Sequence, residues 1–221
     1  MIIGNGLIAK AFEKYSEDEK VIIFSSGVSN SSETDVLEFK REESLLKKYI
    51  TFDKKLIYFS TVSIVDGSKK TAYISHKENM ENIISDCHSN YLIFRLPIVV
   101  GHNANKITFF NSLKDRINNG SELKILNVSR YLIDIDDLSK TLPILIDDDD
   151  EKNKTINTCF DNFSKVSDIV ERMEFYLKRT NNKVYIDCDK NNTVDNDYFN
   201  SRFKKFINSD YNESIFKKYL N

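Results

Sequence analysis

A tyrosine and a lysine lie four positions apart in the segment "TAYISHKEN". A helix would carry Tyr73 and Lys77 on one face, because residues four apart are one turn apart. A nearby ammonium favours the phenolate of a tyrosine, whose unperturbed pKa is about 10, so the pair could transfer a proton near neutral pH. Because the chain is rich in Lys and Tyr, an ordinary surface helix with a solvated Lys77 is the alternative.

A buried strand that ends in hydroxyl residues precedes this helix. The apolar run "KLIYFSTVSIV" places Ser60 and Thr61 near its carboxyl end. Followed by Tyr73 and Lys77, these residues resemble the Ser/Thr-Tyr-Lys arrangement of short-chain dehydrogenases. The resemblance implies that Thr61 holds a carbonyl or hydroxyl oxygen of the substrate.

The segment "GNGLIA" matches the pattern G-x-G-x-x-A directly after a short strand and at the start of a predicted helix. Gly4 allows a tight turn, Gly6 lets a pyrophosphate approach the backbone, and Ala9 lets helix and strand pack closely. Leu7 and Ile8, at the start of this helix, join the candidate cofactor residues. The alternative is a strand-to-helix turn that happens to contain two of six glycines.

Strands and helices alternate along the first half of the chain. We predict strands at the amino terminus and in "KVIIFSSGVSN", "KLIYFSTVSIV" and "NYLIFRLPIVVG", and helices over residues 32–49, 73–87 and 108–118. This alternation predicts an α/β fold, a Rossmann-like parallel sheet with helices on both faces.

We expect two units in the chain. Residues 1–120 form an abbreviated Rossmann-like dinucleotide-binding domain, and residues 121–221 form a small substrate-binding lobe fused to the sheet. A further helix is predicted over residues 165–178. The tail after residue 189 is polar and rich in Asn, so we expect it to pack loosely.

Charge and hydropathy exclude several classes of function. The formal net charge is -2 and acidic and basic residues are interspersed, so nucleic acid is not an expected partner. The apolar stretch "YLIFRLPIVVG" is interrupted by Arg95 and is shorter than the roughly 20 residues that cross a bilayer. No signal peptide is recognisable around the polar Gly4-Asn5-Gly6, so we expect a cytoplasmic protein without a membrane segment.

The three cysteines and three histidines show no close spacing. This argues against a disulfide framework and against a metal site, so we expect structural thiols and no metal. The residues are Cys87, Cys159, Cys188, His76, His88 and His102.

Five blocks of sequence together resemble the extended short-chain dehydrogenase/reductase family, the NAD-dependent epimerase/dehydratase group that modifies nucleotide sugars. In chain order they are "IIGNGLIAKAF", "VIIFSSGVSNS", "LIYFSTVSIVDG" with "YISHKENMENII", "LIFRLPIVVG" and "SRYLIDIDDLSKTL". They occur in the order expected for the family, from Met1 to about Leu145. The chain resembles a shortened member.

The resemblance assigns roles to individual residues. Thr61, Tyr73 and Lys77 become the catalytic residues, and Lys77 also orients the cofactor ribose. Arg130 becomes a ligand for the substrate diphosphate, and a surface arginine paired with Asp134 or Asp136 is the alternative. The candidate cofactor residues are Gly4, Gly6, Leu7, Ile8, Ser25, Ser26, Gly27, Ser60, Lys77 and Pro97, and the candidate substrate residues are Val62, Ser63 and Arg130.

The sequence departs from the family pattern at the second strand. The dinucleotide fold expects an acidic residue about 20 positions after the glycine turn, to bind the adenosine ribose. Phe24, Ser25 and Ser26 stand there instead. One explanation is a preference for NADP over NAD, in which Ser25, Ser26 or a nearby lysine would bind the extra phosphate.

We favour a second explanation, in which "VIIFSSGVSNS" corresponds to the fourth strand of the family. A strand-helix-strand unit would then be absent from the adenine-binding side of the sheet. The interval from Thr61 to Tyr73 is also about half the family's usual length, so a substrate-facing loop is shortened. A missing unit would leave a strand edge for a second subunit, as in a homodimer, or for the tail to cover.

The resemblance implies an NAD(P)-dependent oxidoreductase that reduces a 4-keto nucleotide sugar in the synthesis of surface polysaccharide such as O-antigen or capsule. A nucleotide-sugar epimerase or dehydratase is a second possibility. A dehydratase would ordinarily carry Glu or Asp beside the threonine, where this chain has Val62 and Ser63. A third possibility is a non-catalytic scaffold that has lost dinucleotide binding.

Overall fold

A parallel sheet forms the centre of the computed structural model, which describes residues 1–102, 104–187 and 192–221. Cys188 lies outside the described residues. The strands are β1 Ile2–Ile3, β2 Val21–Phe24, β3 Lys55–Thr61, β4 Tyr91–Leu96, β5 Ile98–Val100, β6 Leu123–Leu126, β7 Ser129–Arg130, β8 Leu132–Asp134, β9 Lys154–Asn157, β10 Ser164–Lys165 and β11 Lys183–Ile186. The helices are α1 Leu7–Ala11, α2 Val36–Tyr49, α3 Ala72–Cys87, α4 Phe109–Asn118, α5 Ile135–Ile146, α6 Val166–Leu177, α7 Asp197–Phe203 and α8 Tyr211–Leu220.

Five of these strands make the sheet in the order β1-β2-β3-β4-β9, and every neighbouring pair is parallel. β3 lies in the middle and is buried along its whole length. Three short two-stranded pairs, β5 with β8, β6 with β11 and β7 with β10, extend from this sheet. The predicted α/β fold with a parallel sheet is confirmed.

Alternating side chains of β3 divide the core between the two faces of the sheet. Ile57 and Phe59 pack on one face with α1, α5 and the helices of the second half of the chain. Leu56 and Tyr58 pack on the other face with α2 and α3. The expected helices on both faces are therefore present.

Side-chain caps define the starts of three helices. The Asp35 carboxylate accepts the backbone N–H of Leu37 at the start of α2, at 2.8 Å. Thr71 accepts the N–H of Ile74 before α3, and Asp134 caps α5 in the same way. Such caps satisfy N–H groups that the first helical turn leaves without partners. The cap at Thr71 fixes where α3 starts, and with it the position of Tyr73.

Pro97 divides the strand that we predicted over "NYLIFRLPIVVG" into β4 and β5. Proline has no backbone N–H and cannot donate to a strand ladder. After Pro97 the chain leaves the main sheet, and Ile98 pairs with Leu132 of β8. The pairing of β5 with β8 connects the carboxyl edge of the sheet to the segment that contains Arg130.

The connection from β1 to β2 has the opposite hand to the two connections that follow. All three step in the same direction across the sheet. However, α1 packs on one face, whereas α2 and α3 pack on the other. Parallel crossovers are right-handed in about 98% of cases. We therefore assign the connections through α2 and α3 as right-handed. The connection β1-α1-β2 is then left-handed.

The sheet ends at β1 among the described residues. In a doubly wound dinucleotide fold the strand order is 3-2-1-4-5-6, and the second and third strands lie beyond the first. Removing them would leave β1 at an edge, beside the former fourth strand, with α1 on the face observed here. Strand order and hand of connection therefore both support the missing strand-helix-strand unit.

The described part of the tail, residues 192–221, is packed into the core, so the expectation of loose packing was wrong there. Phe199, Phe203 and Phe216 are buried, and the Phe199 ring lies 5.2 Å from that of Phe160. The aromatic residues of this polar segment are spaced so that their side chains lie on one face of each short helix. Arg202 also donates to Glu151 at 2.6 Å, which holds α7 beside β9, at the opposite edge of the sheet from β1.

The division at residue 120 stays a prediction. The structure adds that β9 and α5 come from the second segment of the chain and complete the sheet and its core. None of the helices in the described ranges is both long enough and apolar enough to cross a membrane.

We expect the substitution Phe199→Ala to lower the free energy of unfolding by about 3–5 kcal/mol, because it opens a cavity in the shared core. The measurement is urea unfolding followed by circular dichroism. Phe206→Ala is the matched control, since Phe206 is 39% exposed, and it should cost much less. Equal effects of the two substitutions would contradict an integral role for the tail.

Candidate active site

Thr61 and Tyr73 meet at the carboxyl end of β3. Thr61 is the last residue of that strand, and Tyr73 lies in the first turn of α3. Both are largely buried, and the Thr61 hydroxyl lies close enough to the Tyr73 phenol to lower its pKa. The structure thus brings together two of the three predicted catalytic residues.

Lys77 lies one turn after Tyr73 but faces a different partner. Its ammonium is 6.0 Å from the centre of the Tyr73 ring. It donates to Glu42 Oε1 at 3.0 Å and to the Tyr58 hydroxyl at 3.1 Å. Only 3% of the side chain is exposed. Lys77 therefore lies one turn from Tyr73 and is held by an internal carboxylate.

Glu42 of α2 is the functional residue that sequence reasoning missed. Its side chain is 0% exposed. Besides Lys77, it accepts hydrogen bonds from the Tyr58 hydroxyl at 2.6 Å and the Val28 N–H at 2.6 Å, and it lies 2.9 Å from His76 Nε2. One carboxylate thus links α2, β3, α3 and the segment that follows β2.

The charge state of Glu42 follows from these contacts. Burial alone would raise the pKa of its carboxyl group. The Lys77 ammonium and the hydrogen bonds from His76, Tyr58 and the Val28 backbone outweigh burial and hold that pKa well below the ordinary value. Glu42 is therefore a carboxylate at neutral pH.

Tyr73 is held in its protonated form. Burial, together with the negative charge of Glu42, raises the pKa of the Tyr73 phenol well above 10, and the hydrogen bond with Thr61 acts in the opposite direction. This direction is contrary to the one expected from Lys77 alone, because Glu42 pairs with the lysine charge. A protonated phenol is suited to donate a proton.

The segment after β2 lies directly over the Glu42–Lys77 pair. A Cβ atom added to Gly27 would come within 2.7 Å of Lys77 Nζ and 2.9 Å of Glu42 Oε1. Both side-chain ends are fixed by hydrogen bonds, so only glycine fits without a shift. The neighbouring Ser26 accepts hydrogen bonds from Arg41, through its carbonyl at 3.2 Å and its hydroxyl at 3.5 Å.

The glycine turn has the expected conformation at Gly4. Its φ is +128°, a region that side chains disfavour, and an added Cβ would lie 2.7 Å from the Ser25 carbonyl oxygen. An added Cβ at Gly6 would meet no atom within 4 Å, so this residue borders open space. The following helix α1 has only five residues. Leu7 and Ile8 pack against the core rather than facing that space.

Ser60 and Pro97 complete the set of cofactor candidates. Ser60 is buried, and its hydroxyl is without a hydrogen-bond partner among the described residues. It shares a sheet face with Tyr58, because side chains two apart on a strand point the same way. Pro97 is half-buried between β4 and β5.

Two of the substrate candidates follow Thr61 in a 3₁₀ turn, Val62–Ile64. The backbone N–H of Ser63 donates to Thr61 Oγ1 at 3.2 Å, which fixes the threonine hydroxyl. Val62 is buried against Tyr131 and Cys159. Val62 therefore contributes packing to the floor of the candidate site, and Ser63 fixes the orientation of Thr61.

Arg130 faces a buried carboxylate that the sequence did not indicate. Its guanidinium donates to the Ser129 carbonyl at 3.0 Å and lies 3.9 Å from Asp66 Oδ2. The Asp66 side chain is 4% exposed. The alternative partners that we considered, Asp134 and Asp136, are bonded to Lys218 instead. Pairing of Arg130 with either of them is therefore wrong.

No metal centre is assembled within the described ranges, where no group of three or more His, Cys, Asp or Glu side chains is placed to hold an ion. Cys87 is exposed and Cys159 is buried, and both are free thiols.

No protein-family model matches the sequence, and no curated protein matches it either. Solved structures do match. UDP-glucuronic acid 4-epimerase from Bacillus cereus, in complex with UDP-glucuronic acid and NAD, is 15% identical, with a TM-score of 0.71 over 98% of this chain and 79% of that chain. dTDP-glucose 4,6-dehydratase from Bacillus anthracis, in complex with NAD, is 13% identical, with a TM-score of 0.68 over 99% and 78%.

A dTDP-4-dehydrorhamnose reductase from Clostridium acetobutylicum is 14% identical, with a TM-score of 0.66 over 96% of this chain and 84% of that chain. The chain has the fold of the NAD-dependent epimerases and dehydratases. The resemblance seen in the sequence is thereby confirmed at the level of the fold, including the reduced length, since the chain spans 78% to 84% of these three proteins.

We expect Glu42→Gln to lower the free energy of unfolding by about 3–5 kcal/mol, because it leaves the Lys77 ammonium buried without its counter-ion. Chemical denaturation at neutral pH measures the effect. Glu43→Gln is the matched control, since Glu43 is partly exposed and pairs with Lys47 on the helix surface. A loss below about 1 kcal/mol for Glu42→Gln, the range of surface pairs, would contradict the buried ion pair.

Stability should also fall in acid in a way that depends on Glu42. Because its pKa is lowered in the folded state, its contribution is present above the ordinary carboxyl pKa of about 4.3 and is lost as the pH falls below it. Between about pH 6 and pH 3, the midpoint temperature of thermal unfolding should therefore fall more steeply for the wild type than for Glu42→Gln. Parallel curves would show that Glu42 is not held as a carboxylate.

Proposed function

We propose that the protein is an NAD(P)-dependent oxidoreductase that acts on a nucleotide-activated sugar. The observation that carries this proposal is the meeting of Thr61 and Tyr73 at the carboxyl end of β3, with Lys77 one turn further along α3. This is the edge of a parallel sheet where ligands bind. The matched epimerase, dehydratase and reductase structures are of nucleotide-sugar enzymes, which supports the same class of substrate.

The residues divide the work of a carbonyl reduction. Tyr73, kept protonated by burial and by Glu42, donates a proton to the carbonyl oxygen of the sugar. Thr61, fixed by the Ser63 N–H, positions that oxygen. A bound nicotinamide cofactor supplies the hydride. The protein contributes alignment and the proton.

The residues beside Thr61 favour reduction over dehydration. A dehydratase of this group ordinarily carries Glu or Asp at that place, where this chain has Val62 and Ser63. This supports a 4-keto nucleotide sugar as substrate, in the synthesis of surface polysaccharide.

A second candidate function is a non-catalytic member of the fold. The pairing of Lys77 with Glu42 and of Arg130 with Asp66 favours it, because each cation proposed to bind a ligand already faces an internal carboxylate. Such a protein would bind no dinucleotide, and its function would not depend on Tyr73.

The two functions are separated by titrating NADH and NADPH against the protein and following nucleotide fluorescence. A panel of 4-keto nucleotide sugars is then added and the loss of nicotinamide absorbance is recorded. Binding with turnover supports the reductase. Binding of sugar nucleotide without any response to dinucleotide would support the non-catalytic protein and contradict the proposed function.

We expect Tyr73→Phe to reduce turnover by about 100-fold or more, the usual scale of general acid catalysis, while cofactor binding stays near the wild-type value. Steady-state kinetics and fluorescence titration measure the two effects. Tyr185→Phe is the control, because Tyr185 is exposed and lies on β11. Full turnover of Tyr73→Phe would remove Tyr73 from the mechanism.

A further inference from the structure

We propose that the site recognises only the nicotinamide mononucleotide half of its cofactor, and that the adenosine half adds little to binding. This proposal rests on the proposed function and names the ligand that the same site binds. It follows from what the sheet retains and what it lacks.

The first observation is the extent of the sheet. A dinucleotide fold is built from two mononucleotide-binding halves, and the dinucleotide lies across the point where the strand order reverses. Here the order β1-β2-β3-β4-β9 runs in one direction without a reversal. The described strands therefore supply one half. A cofactor whose nicotinamide lies beside Tyr73 would extend its adenosine past the edge at β1.

The second observation is the chemistry at the end of β2, where an adenosine ribose would need a carboxylate. Ser25 and Ser26 stand there, and both are already engaged. The Ser25 hydroxyl donates to the Ile3 carbonyl at 3.1 Å, and Ser26 accepts hydrogen bonds from Arg41. β2, which these serines follow, also lies between β1 and β3. Ser25 and Ser26 are therefore on the side of β1 where the nicotinamide would bind, and the adenosine would extend past the other side.

The third observation concerns the pyrophosphate, which joins the two halves of a dinucleotide. Helix α1 after the glycine turn has five residues, so its dipole is smaller than that of a full-length helix. Gly6 leaves room for a phosphate group, and an added Cβ there would meet no atom within 4 Å.

The residues on the nicotinamide side, in contrast, are held in place. Thr61 is fixed by the Ser63 N–H, Tyr73 is buried, and Lys77 is fixed by Glu42. A site held in place before the ligand binds loses less free energy in ordering its groups. Binding can therefore depend on this half alone.

The test compares three ligands that share the fluorescent dihydronicotinamide ring: NADH, NADPH and reduced nicotinamide mononucleotide. We expect their dissociation constants for the full chain to agree within about three-fold, because they differ only in the adenosine half. Adenosine monophosphate, which carries only that half, is the matched control ligand. It should not displace NADH at any concentration at which the mononucleotide does.

Two results would overturn the proposal while leaving the proposed function intact. One is binding of NADH or NADPH about ten-fold or more tightly than the mononucleotide, which corresponds to about 1.4 kcal/mol from adenosine contacts. The other is displacement of NADH by adenosine monophosphate. If none of the three reduced ligands binds, the proposed function fails and this proposal fails with it.

Discussion

The ion pair between Glu42 and Lys77 is the interaction on which the candidate site depends. Burying two charges is costly unless they are paired and their remaining hydrogen-bonding groups are satisfied. Here the Tyr58 hydroxyl, His76 and the Val28 backbone supply the additional partners of the carboxylate. The pair fixes α3 against β3 and draws the segment after β2 over the lysine. Its carboxylate also adds to the effect of burial in raising the pKa of the Tyr73 phenol, which connects the packing of two helices to the candidate proton donor.

The segment after β2 lies over the Glu42–Lys77 pair, close to the edge of the sheet at β1. In a sheet that ends at β1, the segment after β2 closes against the glycine turn, where Gly4 leaves no room for a side chain next to Ser25. Because the connection through α1 is left-handed, α1 packs on the same face of the sheet as it would in the longer doubly wound fold. The core on both faces of the sheet is continuous although the sheet ends at β1 among the described residues.

Much of the fold could be predicted from the sequence, because buried parallel strands are continuous apolar runs and the helices show a regular apolar stripe. Thr61 and Tyr73 were found because the strand end and the helix start bring them together. Glu42 was missed because, in "FKREESLL", it resembles a solvated glutamate. Its spacing from Phe39 and Leu46 places it on the buried stripe, which is the signal that could have revealed it. Asp66 gave no signal, since its burial depends on contacts distant in sequence.

Saturation-transfer NMR of NADH with the full chain tests most directly whether the site binds the nicotinamide end of its cofactor beside Tyr73 and leaves the adenosine end outside the sheet. Protons close to the protein receive the most saturation. We predict strong saturation of the nicotinamide ring protons and weak saturation of the adenine protons, and loss of both signals on addition of reduced nicotinamide mononucleotide. Saturation that is stronger on adenine than on nicotinamide would contradict this assignment of the retained half of the sheet.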